Sequence, residues 1–194
     1  MAFYPHILNP IQAQILPKLS FTKPQFYLGG GTALALQLGH RTSVDFDFYA
    51  PQKFDNQKLG LTISQLFPNV KTPATHLYQY PLLDQLVDYG PVLLAGLRDI
   101  AAMKTAAVVQ RARQRDFYDI YYLIKKLGVE TFINATYQKF PWYEENNVVV
   151  FTSLTYFTEA DVDPEANRVQ LFDSSLTWSK VKDFIKSSVI SYSN

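Results

Sequence analysis

Apolar positions change their period along the chain. In the first half they come in short runs cut by glycine and proline, and in the second half they recur at helical spacing. Asn9 to Leu19 reads as a short helix, with Asn9 as N-cap and Pro10 at the first helical position. Phe26-Tyr27-Leu28 reads as a strand running into the turn Gly29-Gly30-Gly31. Thr32 to Leu38 then reads as a helix closed by Gly39. Val44 to Tyr49 alternates as a strand, with Val44, Phe46 and Phe48 on one face and Asp45, Asp47 and Tyr49 on the other; Pro51 stops it. Asp55 is placed to cap a helix through Leu59 and Ile63 to Phe67. Val70 to Tyr80 is expected to be extended, although Pro73 limits pairing in a central strand.

The periodicity then lengthens. After a short strand over Pro91 to Ala95, Asp99 is expected to cap a helix running through Lys104 to about Gln110. Arg111 to Arg115 read as a turn or frayed helix end. Asp116 opens a second helix with Phe117, Ile120, Tyr121, Ile124 and Leu127 on its apolar side and Gly128 after it. From about residue 130 the chain reads as helical, notably over Asn147–Phe157 and Thr177–Ile190, around the turn-rich Asp161-Val162-Asp163-Pro164. Strands mixed with helices early and helices alone late predict an α+β fold with a helical C-terminal part.

Composition narrows the class. The 194 residues are 47% hydrophobic and 18% charged, which describes a folded chain able to bury a full core. A net charge of +1 gives no global attraction to nucleic acid, so any such contact must be local, as at Arg111, Arg113 and Arg115. The absence of cysteine excludes disulfides and thiolate metal sites. The N-terminal residues lack a signal-peptide pattern, and no apolar stretch reaches membrane-spanning length, so a cytoplasmic protein is expected.

Two clusters carry chemistry. Asp45 and Asp47 stand at i and i+2, with Cα atoms roughly 6.5–7 Å apart on one strand face, and their carboxylates can converge on Mg²⁺. Two solvated acids on an edge strand is the plain alternative, and the preceding glycine turn and helix weigh against it. Gly29-Gly30-Gly31-Thr32 lies between strand and helix, where N–H groups and the Thr32 hydroxyl can meet phosphate oxygens; a tight structural turn explains it equally. It is neither a Walker A loop nor the dinucleotide fingerprint. Ser43 points to the face of Asp45 if the strand starts early enough. His40 and Arg41 follow the helix end; His40 is assigned to structure, while Arg41 either offsets the helix dipole or fixes the Asp45/Asp47 loop. Lys104 sits among Ala101, Ala102, Ala106 and Ala107, where its ammonium must reach water or an anion. Asp116 and Asp119 are i, i+3 neighbours on one helical surface. The three histidines, His6, His40 and His76, fit neither a zinc site nor a serine hydrolase.

The order of these segments carries a resemblance. Gly30-Gly31-Thr32-Ala33-Leu34, then Gly39-His40-Arg41-x-Ser43-x-Asp45-x-Asp47-Phe48, then Asp99 to Lys104, then Arg115-Asp116-Phe117-x-Asp119-Ile120-Tyr121-x-Leu123 together resemble the AbiEii/AbiGii toxin family. These are nucleotidyltransferase-like proteins of the DNA polymerase β superfamily, and the match covers about residues 26 to 127. The resemblance implies a minimal nucleotidyltransferase fold, with a small mixed sheet and flanking helices. Residues 1–96 would then form the core and 97–194 a helical part carrying Lys104 and Asp116. It implies transfer of a nucleotide from an NTP, with Mg²⁺ or Mn²⁺, to an RNA acceptor such as tRNA. It also implies the toxin role in a bacterial toxin–antitoxin or abortive-infection (phage-defence) pair, with a cognate antitoxin and no membrane partner. Carried over by position, Gly29, Gly30, Gly31, Thr32 and Ser43 belong to the phosphate turn and first motif, and Asp45 and Asp47 hold metal. Lys104 binds phosphate, Asp116 is grouped with the catalytic residues, and Arg41 and Asp119 support them. Arg111, Arg113 and Arg115 are candidate RNA contacts, with a solvated basic turn as the alternative.

One departure from the superfamily pattern stands out. A third carboxylate often sits on a later strand, yet Lys71 to Tyr80 contains no acid, and Asp84 and Asp88 are poorly spaced substitutes. This keeps a second reading open: a catalytically weakened nucleotide- or RNA-binding module on the same fold.

Overall fold

A computed structural model describes residues 2–68 and 80–193. Most of the expected Val70–Tyr80 extended segment therefore lies outside the described residues. The first helix, α1 (Pro10–Ile15), starts at Asn9 with a complete capping box: Asn9 accepts from the Gln12 N–H, and the Gln12 side chain accepts from the Asn9 N–H. A 3₁₀ stretch over Leu16–Thr22 continues it, so the helical path runs as far as expected but in two geometries.

The sheet is small. Strand β1 (Tyr27–Leu28) leads into α2 (Gly30–Leu38), and β2 (Phe48–Tyr49) returns antiparallel to β1. Helix α3 (Asn56–Leu66) follows, capped by the Asp55 carboxylate on the Gln57 and Lys58 N–H groups as expected. A hairpin of β3 (Val87–Tyr89) and β4 (Val92–Leu94) completes the sheet, with order β2-β1-β4-β3 and β4 parallel to β1.

The strand expected over Val44 to Tyr49 is shorter than its alternation implied: Phe48–Tyr49 is the paired part. Its partner β1 is two residues long and turns into α2 at Gly29, so no ladder exists for residues 44–47. Those residues are held by other means. The Gly29 N–H donates to the Asp47 carbonyl at 2.9 Å, and the Thr32 hydroxyl donates to the Asp45 carbonyl. Val44 accordingly lines the same cleft as Asp45 instead of facing away from it.

The remaining helices are α4 (Leu97–Gln110), α5 (Gln114–Leu127), α6 (Val129–Lys139), α7 (Trp142–Glu145), α8 (Asn147–Thr155), α9 (Thr158–Asp161) and α10 (Trp178–Ser193). Asp99 does not cap α4. Gly96 is the N-cap, and the buried Asp99 carboxylate pairs with Lys139 of α6 at 2.7 Å while accepting from the Leu83 and Asp84 N–H groups. An ion pair long-range in sequence outcompetes the local capping bond because the lysine beside it is equally buried and needs that charge.

Helix α2 runs through the centre. Ala33, Leu34, Ala35 and Leu36 are all fully buried, so it has no solvent face. Gln37 survives there because its amide donates to the Ala33 and Ala95 carbonyls at 3.0 Å. Burying Leu34 and Leu36 contributes ~1.5–3 kcal/mol each. Gly39 ends the helix at φ 64°, where a Cβ would sit 2.5 Å from the Tyr4 ring. Helix α5 packs its Phe117, Ile120 and Ile124 face inward as the periodicity predicts. The result is a mixed α+β fold with a small four-stranded sheet, flanking helices and a C-terminal helix, consistent with a minimal nucleotidyltransferase fold.

Candidate functional site

A cleft of about 200 Å³ opens where the N-terminus of α2 meets the 43–47 segment, Lys104 of α4 and the start of α5. Gly30, Gly31, Ser43, Asp45 and Asp47 line one side, and Lys104, Arg111, Arg115 and Asp116 the other. Arg41 also contributes to the wall. Gly29, Thr32, Arg113 and Asp119 are not among its lining residues. Thr32 is fully buried with its hydroxyl on the Asp45 carbonyl, so it shapes the acid-bearing segment from behind.

The glycines are explained by close neighbours. Gly30 has φ +62°, and a Cβ on it would lie 2.6 Å from the Asp47 carboxylate. A Cβ on Gly31 would collide with the Arg41 guanidinium and stand 3.2 Å from the Ser43 hydroxyl. A Cβ on Gly29 would press on the Tyr49 ring at 2.8 Å. The bare backbone lets Asp47, Arg41 and Ser43 stand directly against the first turn of α2. The N–H groups of a first helical turn lack intrahelical acceptors, which suits the cleft to anions.

Behind the cleft lies a buried charge cluster. The fully buried Asp119 carboxylate receives Arg41 through two parallel bonds, Nε and Nη2, both at 2.7 Å. It also meets His40 Nε2 at 2.7 Å and Lys104 Nζ at 2.6 Å. Lys104 makes a second bond, to Asp116 at 2.6 Å. Burial alone would raise the Asp119 carboxyl, but the charges of Arg41 and Lys104 and the bonds from His40 and Arg41 hold it well below the usual carboxylate range. Burial opposes the charge on Lys104, and Asp119 and Asp116 overcome it, so the ammonium titrates above an ordinary lysine. His40 moves the other way: burial depresses it, Asp119 pulls back, and the charges of Arg41 and Lys104 add to the depression. The ring is thus neutral at pH 7, and its contact with Asp119 assigns the proton to Nε2. Protonation would leave Nδ1–H as a buried donor, and Nδ1 has no hydrogen-bond partner.

The sequence expectations separate here. Lys104 meets carboxylates, one of the anions its apolar surroundings required. Asp116 and Asp119 do share a helical surface, and Lys104 bridges them. Arg41 answers Asp119 and the Thr42 carbonyl, which fixes the start of the acid-bearing segment. His40 is structural, held between Asp119 and the tilted ring of Tyr122.

The open acids differ. Asp45 has a side chain 57% exposed and meets Arg168 at 3.3 Å. Asp47 opens to the cleft, yet the wall around it removes part of its hydration and raises its carboxyl; Asp45 and Asp116 add to the rise, and Lys104 and Arg115 oppose it. Tyr49 beside it is raised as well, by burial first and then by Asp47 and Asp116. Among the described residues, no group of three or more His, Asp or Glu side chains is arranged to hold a metal ion. The two suggested replacements for a third acid lie elsewhere. Asp84 pairs with Arg98 at 2.7 Å, and Asp88 pairs with Lys23 at 2.8 Å, and neither lines the cleft. Their poor spacing is matched by their contacts: Arg98 at the start of α4 holds Asp84, and Lys23 from the segment before β1 holds Asp88.

The basic turn also divides. Arg111 is exposed on the cleft wall. Arg113 turns away to Asp163 at 2.8 Å, and Arg115 is held by Glu165 at 2.7 Å. Sequence reasoning missed Arg168, which reaches the cleft from the far C-terminal part together with Val169. No motif marks it; the one local signal is an arginine shortly after the acids Asp163 and Glu165 that answer Arg113 and Arg115.

Comparison with known proteins gives a family. The description "Nucleotidyl transferase AbiEii toxin, Type IV TA system" belongs to a family profile that matches residues 14–75 and 67–187. An uncharacterised protein of Aquifex aeolicus (strain VF5) is 33% identical over 193 residues, covering 86% of this chain and 87% of that protein. No solved structure matches the chain significantly.

Proposed function

The chain belongs to the AbiEii nucleotidyl transferase toxin family of type IV toxin–antitoxin systems, and from that premise we propose that it transfers a nucleotide from an NTP to an RNA acceptor, tRNA being the leading class. The observation that carries the reading is one cleft in which Asp45, Asp47, Lys104 and Asp116 surround the N-terminus of α2.

The donor set fits a divalent cation. Mg²⁺ is commonly held by one or two carboxylates together with substrate phosphates and water, not by a full protein cage. Asp45 and Asp47 supply two carboxylates, and the exposed Asp45 already draws a cationic guanidinium. These two residues would hold Mg²⁺ or Mn²⁺, which when bound offsets triphosphate charge and acidifies the acceptor hydroxyl. The chain's own contribution is positioning and charge. First-turn N–H groups at Gly30 and Gly31 receive phosphate oxygens, with Ser43 beside them. The Lys104 ammonium has three donors; it donates to Asp116 and lies 2.6 Å from Asp119, with donor capacity left for phosphate. Asp116 and Asp119 keep that ammonium charged, and Arg41 fixes Asp119. Such positioning carries most of phosphoryl-type catalysis. Arg111 offers the cleft edge to an RNA backbone, with Arg115 lining the cleft beside it while paired with Glu165. Arg113 is spent on Asp163 and is left out of that surface.

No helix among the described residues is long and apolar enough to cross a membrane. The proposed setting is the cytoplasm, in a phage-defence pair with a cognate antitoxin. Expression of the chain alone in bacteria tests the reading. Growth arrest abolished by Asp45→Ala is expected, and arrest that persists in this variant overturns it. One observation favours a second reading, a binding module without turnover: Asp84 and Asp88 are both engaged away from the cleft. NTP binding in Mg²⁺ with no product formed would select it.

A further inference from the structure

Residues 163–172 form a strap fastened at both ends. At one end Asp163 takes Arg113 and the Gln114 N–H, and Glu165 takes Arg115, all at 2.7–2.9 Å. At the other, Thr42 and Gln170 exchange hydrogen bonds at 2.9 Å, and the Phe172 N–H donates to the His40 carbonyl at 3.1 Å. The strap thus joins the start of α5 to the segment that carries Asp45, and Arg168 lies between its two fastenings. Its own contacts are loose by comparison: 3.3 Å to Asp45 and 3.6 Å to Glu165, with a side chain 43% exposed.

Apart from Arg111, which is exposed at the cleft edge, the other cleft cations are already engaged. Lys104 is clamped at 2.6 Å by two acids, Arg41 is spent on Asp119, and Arg115 on Glu165. A polyanion entering the cleft needs a cation that can change partner, and a guanidinium binds phosphate through two parallel bonds. A divalent cation at Asp45 would repel Arg168 from that carboxylate at the moment phosphate oxygens arrive.

We propose that Arg168 is a ligand for the phosphate chain of the incoming nucleotide, paired with Asp45 beforehand and passed to phosphate when a divalent cation takes Asp45. This rests on the nucleotidyltransferase reading of the same cleft.

Calorimetric titration of the full chain tests it, using inorganic tripolyphosphate in Mg²⁺ and, separately, Mn²⁺ alone. Arg168→Ala should weaken tripolyphosphate binding about 10-fold or more. Arg168→Lys should recover only part of it, because an ammonium cannot make the paired bonds. Mn²⁺ alone should bind Arg168→Ala at least as tightly as the natural chain, since the competing guanidinium is gone. Loss of both ligands in Arg168→Ala overturns the assignment, because it reports collapse of the cleft. Unchanged tripolyphosphate binding in Arg168→Ala also overturns it, as expected if Arg168 instead meets RNA, and leaves the nucleotidyltransferase reading standing. A natural chain that binds no tripolyphosphate overturns both.

Discussion

Asp119, behind the cleft, and Asp45, open to it, stand under opposite conditions. Asp119 is fully buried and answered by Arg41, His40 and Lys104 at 2.6–2.7 Å. Asp45 is 57% exposed and faces Arg168 at 3.3 Å. An acid whose bonding capacity is met by the protein has little left for a ligand. One that keeps a hydrated face and a loose cation retains its capacity for an incoming charge. Burial thus separates an acid engaged within the protein from one left open to a ligand, and variants can pull the two apart.

The largest effect belongs to Asp119. Asp119→Ala leaves Arg41 and Lys104 buried with lost partners and should cost about 3–5 kcal/mol, read by denaturant unfolding. Asp45→Ala should leave the unfolding midpoint nearly unchanged while lowering transfer activity ~100-fold or more, a contrast checked by running both assays on one preparation. Gly30→Ala comes next. The positive φ and the Asp47 carboxylate 2.6 Å away predict a cost of ~1–2 kcal/mol from strain, with weaker metal binding because Asp47 is displaced.

Acid pH should weaken the scaffold in two stages. His40 is depressed in the folded state, so below its unfolded value of about 6.5 the unfolded chain binds the extra proton first. Its contribution is full above that pH and is lost as pH falls toward the folded value. Asp119 behaves likewise lower down: its contribution is full above about 3.9 and is lost as pH falls toward the depressed folded value. His40→Gln should remove the upper stage and leave the lower one, as read from unfolding midpoints between pH 7 and 3. The smallest contrast lies in the basic turn. Arg111→Ala should leave the midpoint unchanged and reduce the salt slope of RNA binding by about 1. Arg113→Ala should lower the midpoint and leave that slope intact, because Arg113 fastens Asp163.

Local signals carried much of the fold. Apolar spacing and Gly39 located α2, and a helical apolar face followed by Gly128 located α5. Alternation over 44–49 overstated β2 because strand length is set by the partner, and β1 offers two residues. The hairpin strand β3 was not anticipated, although Gly90-Pro91 marks its turn. Asp99 was misread as a cap because its partner, Lys139, stands 40 residues away. At the site, spacing put Asp116 and Asp119 on one helix surface but could not say that Asp119 would be wholly enclosed. That depends on Arg41 and His40, brought in from the end of α2. Arg168 was invisible because its place at the cleft depends on the strap, whose fastenings to Thr42 and Arg113 lie far away in sequence.

The most direct test is label transfer from each α-labelled NTP to total tRNA in Mg²⁺, run side by side for the natural chain and Asp45→Ala with their unfolding midpoints. The account predicts transfer by the natural chain and its loss in Asp45→Ala at an unchanged midpoint. Transfer that survives in a folded Asp45→Ala protein, or no transfer from any NTP by the natural chain, would contradict it.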